Sequence, residues 1–439
     1  MSKKSFWLEG IPFEAAPSLQ RDLKVDVAVV GGGFAGLSTA WYLLRKAPGI
    51  KVVVLEAEST GFGASGRNAG FAMTLFGLAL AVTVLRFGKQ KAREAHEIMS
   101  RAVDHVGELV EKHGVECDYE KTGLLTVATS PAYLKRLQGE IRLAEQCGIE
   151  GASWIGQDEV RARVDSPTYL GARWEPHSAL INPARLVLGL RRLAEGAGAE
   201  IYEQTPVLEI DRSRPGAISV LTPGGRVTAD RVVMATNAWS SRFAEFSALQ
   251  FPVYTYIVLT QPLNEKDLAA LKWHRREGIE DARCLIHYYR LTPDNRLLMG
   301  GSDAFYYMGG GFGTDRNEDV ARRLRRDARE IFPALQGVRF THTWGGPVSV
   351  PIDFAPAFGY ALGDRRLIYS LGCVGHGVAL MSFAGKILSD LALDRKGALS
   401  EAFFVNRFVP PTPPDPLRWL VVQAIRGGMH LLDAIDDRQ

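Results

Sequence analysis

The sequence predicts a mixed α/β plus α+β fold: a doubly wound parallel-sheet domain assembled from separated segments, with an antiparallel-sheet lobe inserted between them. Three observations carry this. A buried run, Val25–Val30, leads through Gly31-Gly32-Gly33-Phe34-Ala35-Gly36 into an apolar-periodic helix. Tyr- and Val-rich stretches in mid-chain read as antiparallel strands, unlike that opening. Near the C-terminus, a strand at Leu367–Leu371 and a helix from Gly377 return to the first pattern.

In chain order, the opening helix runs from about Leu37 to Lys46 and stops at Pro48-Gly49, and Lys51–Leu55 is a second buried strand. This is a βαβ unit starting a parallel sheet. Ala69–Leu85 carries no charge for 17 residues. A membrane span needs ~20 largely apolar residues, and this stretch holds Gly70, Gly77, Thr74 and Thr83, so we read it as a buried helix. Helical patterns at Lys89–His113 and Pro131–Cys147 bracket a strand at Gly123–Thr129. A further helix from Pro183 through Leu193 stops at Gly196/Gly198, and a strand follows around Ile201–Ile210. Strands at Ala217–Thr222 and Arg226–Ala235 flank a turn at Pro223-Gly224-Gly225. The inserted lobe supplies Phe251–Leu259 and Cys284–Gly300, the latter turning at Asp294-Asn295. A Pro-rich linker, Pro410–Pro416, leads into a last helix, Leu417–Ile435. The expected division gives residues 1–85, 155–245 and 340–409 to the parallel-sheet domain. It gives 86–154 and 246–339 to the inserted lobe, and 410–439 to the linker and last helix.

Composition narrows the function. With 439 residues, 46% hydrophobic and 23% charged, the chain suits two or three lobes of ordinary globular character. The 52 basic and 49 acidic side chains are interspersed, giving a net charge of +3 and no basic face for nucleic acid. Cys117, Cys147, Cys284 and Cys373 show no metal-ligand spacing, so neither a disulfide framework nor a metal site is expected. Met1 to Pro17, with Lys3, Lys4, Glu9 and Glu14, lacks an apolar core of secretory length, which points to the cytoplasm.

The glycine-rich turn satisfies G-x-G-x-x-G through Gly31, Gly33 and Gly36. Gly31 permits a tight turn, Gly33 lets backbone approach a pyrophosphate, and Gly36 lets helix pack on strand. The helix N-terminus offers free N–H groups and a positive dipole end. Glu56 ends the second strand 20 residues beyond Gly36, where an acid binds ribose hydroxyls. A dinucleotide is therefore expected, and Glu56 opposes a 2′-phosphate.

Four ordered motifs then resemble those of the D-amino-acid oxidase-like flavoproteins, over nearly the whole chain. They are Gly61–Gly70 (GFGASGRNAG), Arg231–Ser240 (RVVMATNAWS), Trp344–Pro347 with Ile352–Pro356, and Gly372–Ala379 (GCVGHGVA). SGRNAG and GHGVAL together look most like the gamma-glutamylputrescine oxidoreductase-like branch. The resemblance implies a discontinuous Rossmann-like FAD-binding domain and a substrate domain whose antiparallel sheet covers the flavin. It implies that Gly31, Gly33 and Gly36, with Phe34 and Ala35, hold the pyrophosphate, Glu56 and Ala57 the adenosine ribose, and Val207 the adenine. Gly63, Ala64, Ser65, Gly66, Arg67, Asn68, Ala69 and Gly70 would run past the pyrophosphate and beneath the flavin. Ala235, Thr236, Trp239 and Gly346 would belong to the cofactor site as well. Gly375, His376, Gly377 and Val378 would set a helix start at the N1/O2 edge of the flavin, where reduction gathers negative charge. The family positions for covalent attachment fall at Arg67 and near Gly346, so FAD is expected to be non-covalent, with Cys373 the one residue to check.

The implied activity is oxidation of an amine or amino acid at a C–N bond, with oxygen or another acceptor taking the electrons. Such chemistry needs a neutral amine, a well-aimed C–H and a dry site rather than a strong base. Candidate substrate-facing residues lie on the inserted sheet: Tyr254 and Tyr256 share one strand face, and Tyr288 and Arg290 another. Tyr256 would help form an aromatic wall, and Arg290 or Arg67 could hold a substrate carboxylate. His376 reads as structural or flavin-bonding, His287 as a satisfied surface group, and Trp344 as a pocket cap or core residue. Two alternatives stay open: oxidation of a hydroxy acid or alcohol, and a non-catalytic flavin-bearing subunit. The last helix offers docking on its own chain or a twin subunit, or peripheral membrane contact.

Overall fold

In the computed structural model residues 5–438 are described; Lys3 and Lys4 lie outside them. The βαβ unit is β1 (Leu23–Val30), α1 (Phe34–Lys46) and β2 (Val52–Leu55). Next come β3 (Phe71–Ala72), α2 (Leu80–Phe87), α3 (Lys89–Glu111), β4 (Leu124–Ala128), α4 (Pro131–Gln146) and β5 (Ser153–Gly156). They are followed by α5 (Gln157–Arg163), β6 (Gly171–Glu175), β7 (Ala179–Leu180) and α6 (Pro183–Gly196). Then β8 (Glu200–Tyr202), β9 (Glu209–Asp211), β10 (Ile218–Thr222), β11 (Gly225–Met234) and β12 (Phe251–Thr260) lead to α7 (Glu265–Leu271). The chain continues through β13 (Gly278–Asp281), β14 (His287–Leu291), β15 (Leu297–Gly301), α8 (Glu318–Ile331) and β16 (Phe340–Val350). It ends with β17 (Ala357–Ala361), β18 (Asp364–Leu371), α9 (Gly377–Ala392) and α10 (Leu417–Asp436).

Two eight-stranded sheets result. The first runs β17-β18-β11-β1-β2-β8, with β10 and β9 attached beside β11. The five consecutive strands β18-β11-β1-β2-β8 are parallel, and the apolar runs of β1, β2 and β11 are buried because helices α1, α6 and α9 cover one face and β10 with Leu19, Phe246 and Val409 the other. α1 packs on α9 closely enough that a Cβ at Gly385 would strike Ser38, whose hydroxyl donates to Ser382 O at 2.6 Å. The second sheet runs β16-β12-β15-β14-β13-β4-β6-β5 and is antiparallel except where β13 meets β4. α8 covers one face of it through Val320, Ala321, Leu324, Ala328 and Ile331. The short β3–β7 pair is a third sheet.

Four expectations are corrected. Ala69–Leu85 is not one buried helix. Gly70 and Gly77 hold φ of +82° and +73°, the segment forms β3 and a loop, and α2 starts only at Leu80 with Leu85 89% exposed. No helix among the described residues is long and apolar enough to cross a membrane. The strand expected at Ile201–Ile210 is split into β8 and β9, because Gln204 adopts φ +50° and Pro206 offers no N–H for pairing. β5 straddles the boundary expected at 154 and β6 lies beyond it, yet both belong to the inserted sheet, as does β16, which starts where the parallel-sheet domain is expected to resume, at 340. His287 is a buried bridge rather than a surface group: Nδ1 lies 2.7 Å from Asp281 and Nε2 3.0 Å from Asp327 on α8. Burial opposes its charge, yet the two carboxylates prevail and raise its pKa to about 9.

Candidate active site

Where β1 hands over to α1, backbone geometry builds a cleft of about 250 Å³. Gly31 sits at φ +114°, and a Cβ there would meet Ala235 O at 2.6 Å. A Cβ on Gly33 would lie 2.9 Å from Ser65 Oγ, and one on Gly36 would strike Gly31 O. Ser65 Oγ in turn accepts from the Phe34 N–H at 3.0 Å. The first turn of α1 carries no acidic residue, so its positive dipole end is left for an anion. Glu56 Oε2 accepts from Gly32 N at 2.6 Å and Oε1 from Glu58 N at 2.9 Å. Burial pushes its pKa up to about 7 despite these donors. Ala35, Ala57, Gly63, Ala64, Asn68, Val207, Ala235, Thr236, Trp239, Gly375, Gly377 and Val378 line the same cleft. Gly66 lines neither cavity: a Cβ there would strike Gly61 O, so it serves the packing of the loop.

Ala64, Asn68, Val348, Gly375 and Val378 also border a second cavity of about 860 Å³, so the two spaces adjoin. Arg67, Ala69, Gly346 and His376 line this larger space. α9 starts at Gly377 with no acidic residue in its first turn and no side-chain cap, leaving its first N–H groups for a ligand. Burial holds the His376 imidazole below its ordinary pKa, hence neutral. Arg67 is 3% exposed, with Nε donating to Phe62 O at 2.7 Å and Nη1 to Asp315 at 2.6 Å. Its guanidinium also lies 4.6 Å from the Phe62 ring, and a Cβ at Gly346 would be 3.1 Å from its Cδ. The Trp344 indole donates to Arg67 O at 2.8 Å and is 3% exposed, so it fixes this loop from the core instead of capping a pocket.

These features fit FAD: a cradle without side chains, an anion-ready helix end, a buried carboxylate where a ribose would lie, and a contiguous apolar chamber. The profile of the FAD dependent oxidoreductase family, DAO, matches residues 26–391. The chain belongs to that family. Gamma-glutamylputrescine oxidoreductase of Escherichia coli K12 is 32% identical over 382 residues, covering 87% of this chain and 85% of its relative. Glycine oxidase of Bacillus licheniformis is 25% identical over 391 residues, covering 88% and 98%. The solved glycine oxidase of Geobacillus kaustophilus has the same fold, with a TM-score of 0.74 at 22% identity over 88% of this chain and all of that one.

On the inserted sheet of this FAD-dependent oxidoreductase the alternation settles which side chains meet the cavity. On β12 they are Phe251, Val253, Thr255 and Ile257. Tyr254 and Tyr256 project from the opposite face into the α8 core, where Tyr256 Oη lies 2.6 Å from Tyr307 Oη and 2.9 Å from Thr314 O. The aromatic wall expected of Tyr256 is therefore absent from the cavity, since neighbouring residues of a strand face opposite ways. Tyr288 does line it, its ring lying over Gly300. Arg290 is fully buried outside it. Its Nη1 donates to Ile181 O at 2.7 Å and Gly70 O at 3.3 Å, so it braces the end of the glycine-rich segment instead of clamping a carboxylate. Burial lowers its pKa to about 10. Sequence reasoning also missed Phe71, Thr126, Glu140, Arg173 and Glu280, which line the cavity. Thr126, Arg173 and Glu280 meet only through the register of β4, β6 and β13, and Phe71 on β3 and Glu140 on α4 join them through tertiary packing, so no local pattern marks the set.

Proposed function

We propose that this enzyme oxidises an amine or amino acid at a C–N bond, giving an imine that water then hydrolyses. The observation carrying this reading is the apolar chamber of about 860 Å³ that adjoins the cofactor cleft at Ala64, Asn68, Gly375 and Val378. When bound, FAD supplies the hydride acceptor. Gly31, Gly33 and Ser65 would hold its pyrophosphate, Glu56 a ribose, and the α9 N-terminus the electron-rich edge of its ring. Phe71, Thr255, Ile257 and Tyr288 orient a substrate and exclude water. His376, held neutral by burial, places no imidazolium charge beside the reacting amine. Arg67 is already paired with Asp315, which favours a primary or secondary amine over a substrate needing an α-carboxylate clamp there. FAD is held without a covalent bond, with oxygen or another acceptor reoxidising it.

The test is anaerobic mixing of the yellow protein with amines, amino acids and hydroxy acids while following visible absorbance. Amines and amino acids are expected to bleach it, and acid precipitation to leave the flavin in solution. Bleaching by hydroxy acids alone would overturn the reading.

A further inference from the structure

One row of paired residues crosses the inserted sheet beneath the larger cavity. Ile257 on β12 pairs with Gly300 on β15, Gly300 with Tyr288 on β14, and Tyr288 with Glu280 on β13. Glu280 pairs with Thr126 on β4, and Thr126 with Arg173 on β6. Strands lie about 4.8 Å apart, so Glu280 stands roughly 14 Å along the row from Ile257 and roughly 19 Å from the β16 edge that holds Gly346. The cavity therefore has two chemically distinct ends. One is formed by the cofactor segments and Arg67, the other by charged side chains from β13, β6 and α4, with His96 of α3 beside them.

At that far end Glu280 is 9% exposed, and among the described residues its carboxylate accepts a hydrogen bond only from the Thr126 hydroxyl, at 3.1 Å. No cation among the described residues lies within ion-pairing distance of Glu280 or of Glu140 on α4, although Arg173 is near enough to be felt by both and Arg136 by Glu140. Glu175, buried on β6, adds a third carboxylate; its Oε1 accepts only from His177 N, at 3.1 Å. Against these stand the Arg173 guanidinium, whose Nε is buried without a partner, and His96 on α3, which burial keeps neutral. Arg136 is already engaged by Ala282 O and Asp436, and Asp281 by His287 and Arg283. Among the described residues three carboxylates thus face one unpaired guanidinium, Arg173, and a second, Arg136, already paired with Asp436, in a space large enough for a ligand. A buried carboxylate without a counter-ion is costly, and burial accordingly pushes Glu280 up to about 7.

We propose that Glu280, with Glu140, is a specificity-determining subsite that binds a second ammonium group at the far end of an elongated amine substrate. The inference rests on the amine reading above and assigns its substrate class as diamines and longer polyamines. Their first nitrogen is oxidised beside the cofactor while the second fills the gap between the two carboxylates. The chain between the nitrogens lies along Tyr288 and Ile257, which offer apolar surface.

The test compares linear diamines of three to twelve carbons and longer linear polyamines with monoamines and ω-aminoalkanoates of the same lengths, by anaerobic flavin reduction; only the longer members are expected to span the roughly 14 Å between Ile257 and Glu280. Wild-type holoenzyme and Glu280→Gln are measured side by side, with Glu140→Gln as a second variant. The wild type is expected to favour the best diamine at least about tenfold over its monoamine in apparent affinity. Glu280→Gln, with full FAD content, is expected to lose that preference, its apparent affinity for the diamine falling to that for the monoamine. Equal use of monoamines and diamines, a preference for the ω-aminoalkanoates, or a diamine preference that survives both variants would overturn the proposal while leaving amine oxidation standing. Bleaching by none of the three series would overturn the amine reading itself and the subsite with it.

Discussion

The two eight-stranded sheets share a size but not a way of making a site. In the parallel sheet the ligand-facing groups are mostly backbone: the turn at Gly31–Gly33, the free N–H groups of α1 and the start of α9. In the inserted sheet they are side chains projecting from one face: Thr255, Ile257, Tyr288, Glu280, Thr126 and Arg173. A backbone site demands particular glycines at fixed spacing, because any Cβ would occupy the ligand's place or strike a neighbouring carbonyl. A side-chain site demands only that something of suitable chemistry stand at each pleat. The first is rigid and intolerant of substitution; the second is adjustable one residue at a time.

The largest effect is therefore expected at the backbone site. Gly33→Val puts branched carbons where a Cβ alone would already lie 2.9 Å from Ser65 Oγ, in the approach to the pyrophosphate. FAD affinity should fall about a hundredfold or more, read as flavin absorbance lost on gel filtration. Circular dichroism should stay native. A variant that remains yellow with unchanged affinity would break the distinction between the two kinds of site.

The same distinction explains what was legible in the sequence. The βαβ unit, the hairpin turning at Pro223-Gly225 and the helix from Gly377 follow from apolar periodicity and glycine placement alone, and the glycines that shape the cleft announce themselves by spacing. The face presented by β12 does not. FPVYTYIVLT is buried on both sides, nine of its ten residues fully so, hence polarity does not alternate and offers no sign of which set meets the cavity. Tyr254 and Tyr256 looked suited to a substrate wall, but they fill the α8 core. Glu280 and Arg173 lie more than one hundred positions apart in the chain and meet only through the β13–β4–β6 pairing, which no local pattern encodes. Asp327, the second partner of His287, likewise comes from a helix 40 residues away.

That histidine gives the second effect, on stability. His287 binds its proton more tightly in the folded chain, with a pKa of about 9, than its ordinary value near 6.5. Its contribution is thus fully present below about pH 6.5 and is lost as pH rises through 9, amounting to about 3 kcal/mol. Urea unfolding at pH 6 and pH 9.5 should show this loss in the wild type and a much flatter response in His287→Gln, which starts less stable. Parallel behaviour of the two proteins would mean that Asp281 and Asp327 do not hold the proton there.

The smallest effect distinguishes the two faces of β12 directly, with one neighbouring pair of residues. Tyr256→Phe removes a hydroxyl bonded to Tyr307 and Thr314 O in the core, so it should cost about 1 kcal/mol of stability. It should leave the Michaelis constant for any amine the enzyme oxidises unchanged. Thr255→Val replaces a cavity-lining hydroxyl with a methyl of similar size, beside Tyr288. It should shift that Michaelis constant a fewfold, since it removes the hydroxyl that bonds Tyr288 at the cavity wall, and should cost no more stability than Tyr256→Phe. The two variants differ by one residue in position and by 180° in direction. A reversed pattern, with Tyr256→Phe altering substrate affinity and Thr255→Val altering only stability, would place the substrate on the α8 side of the sheet. That would also remove Glu280 from the site, because it shares the Thr255 face.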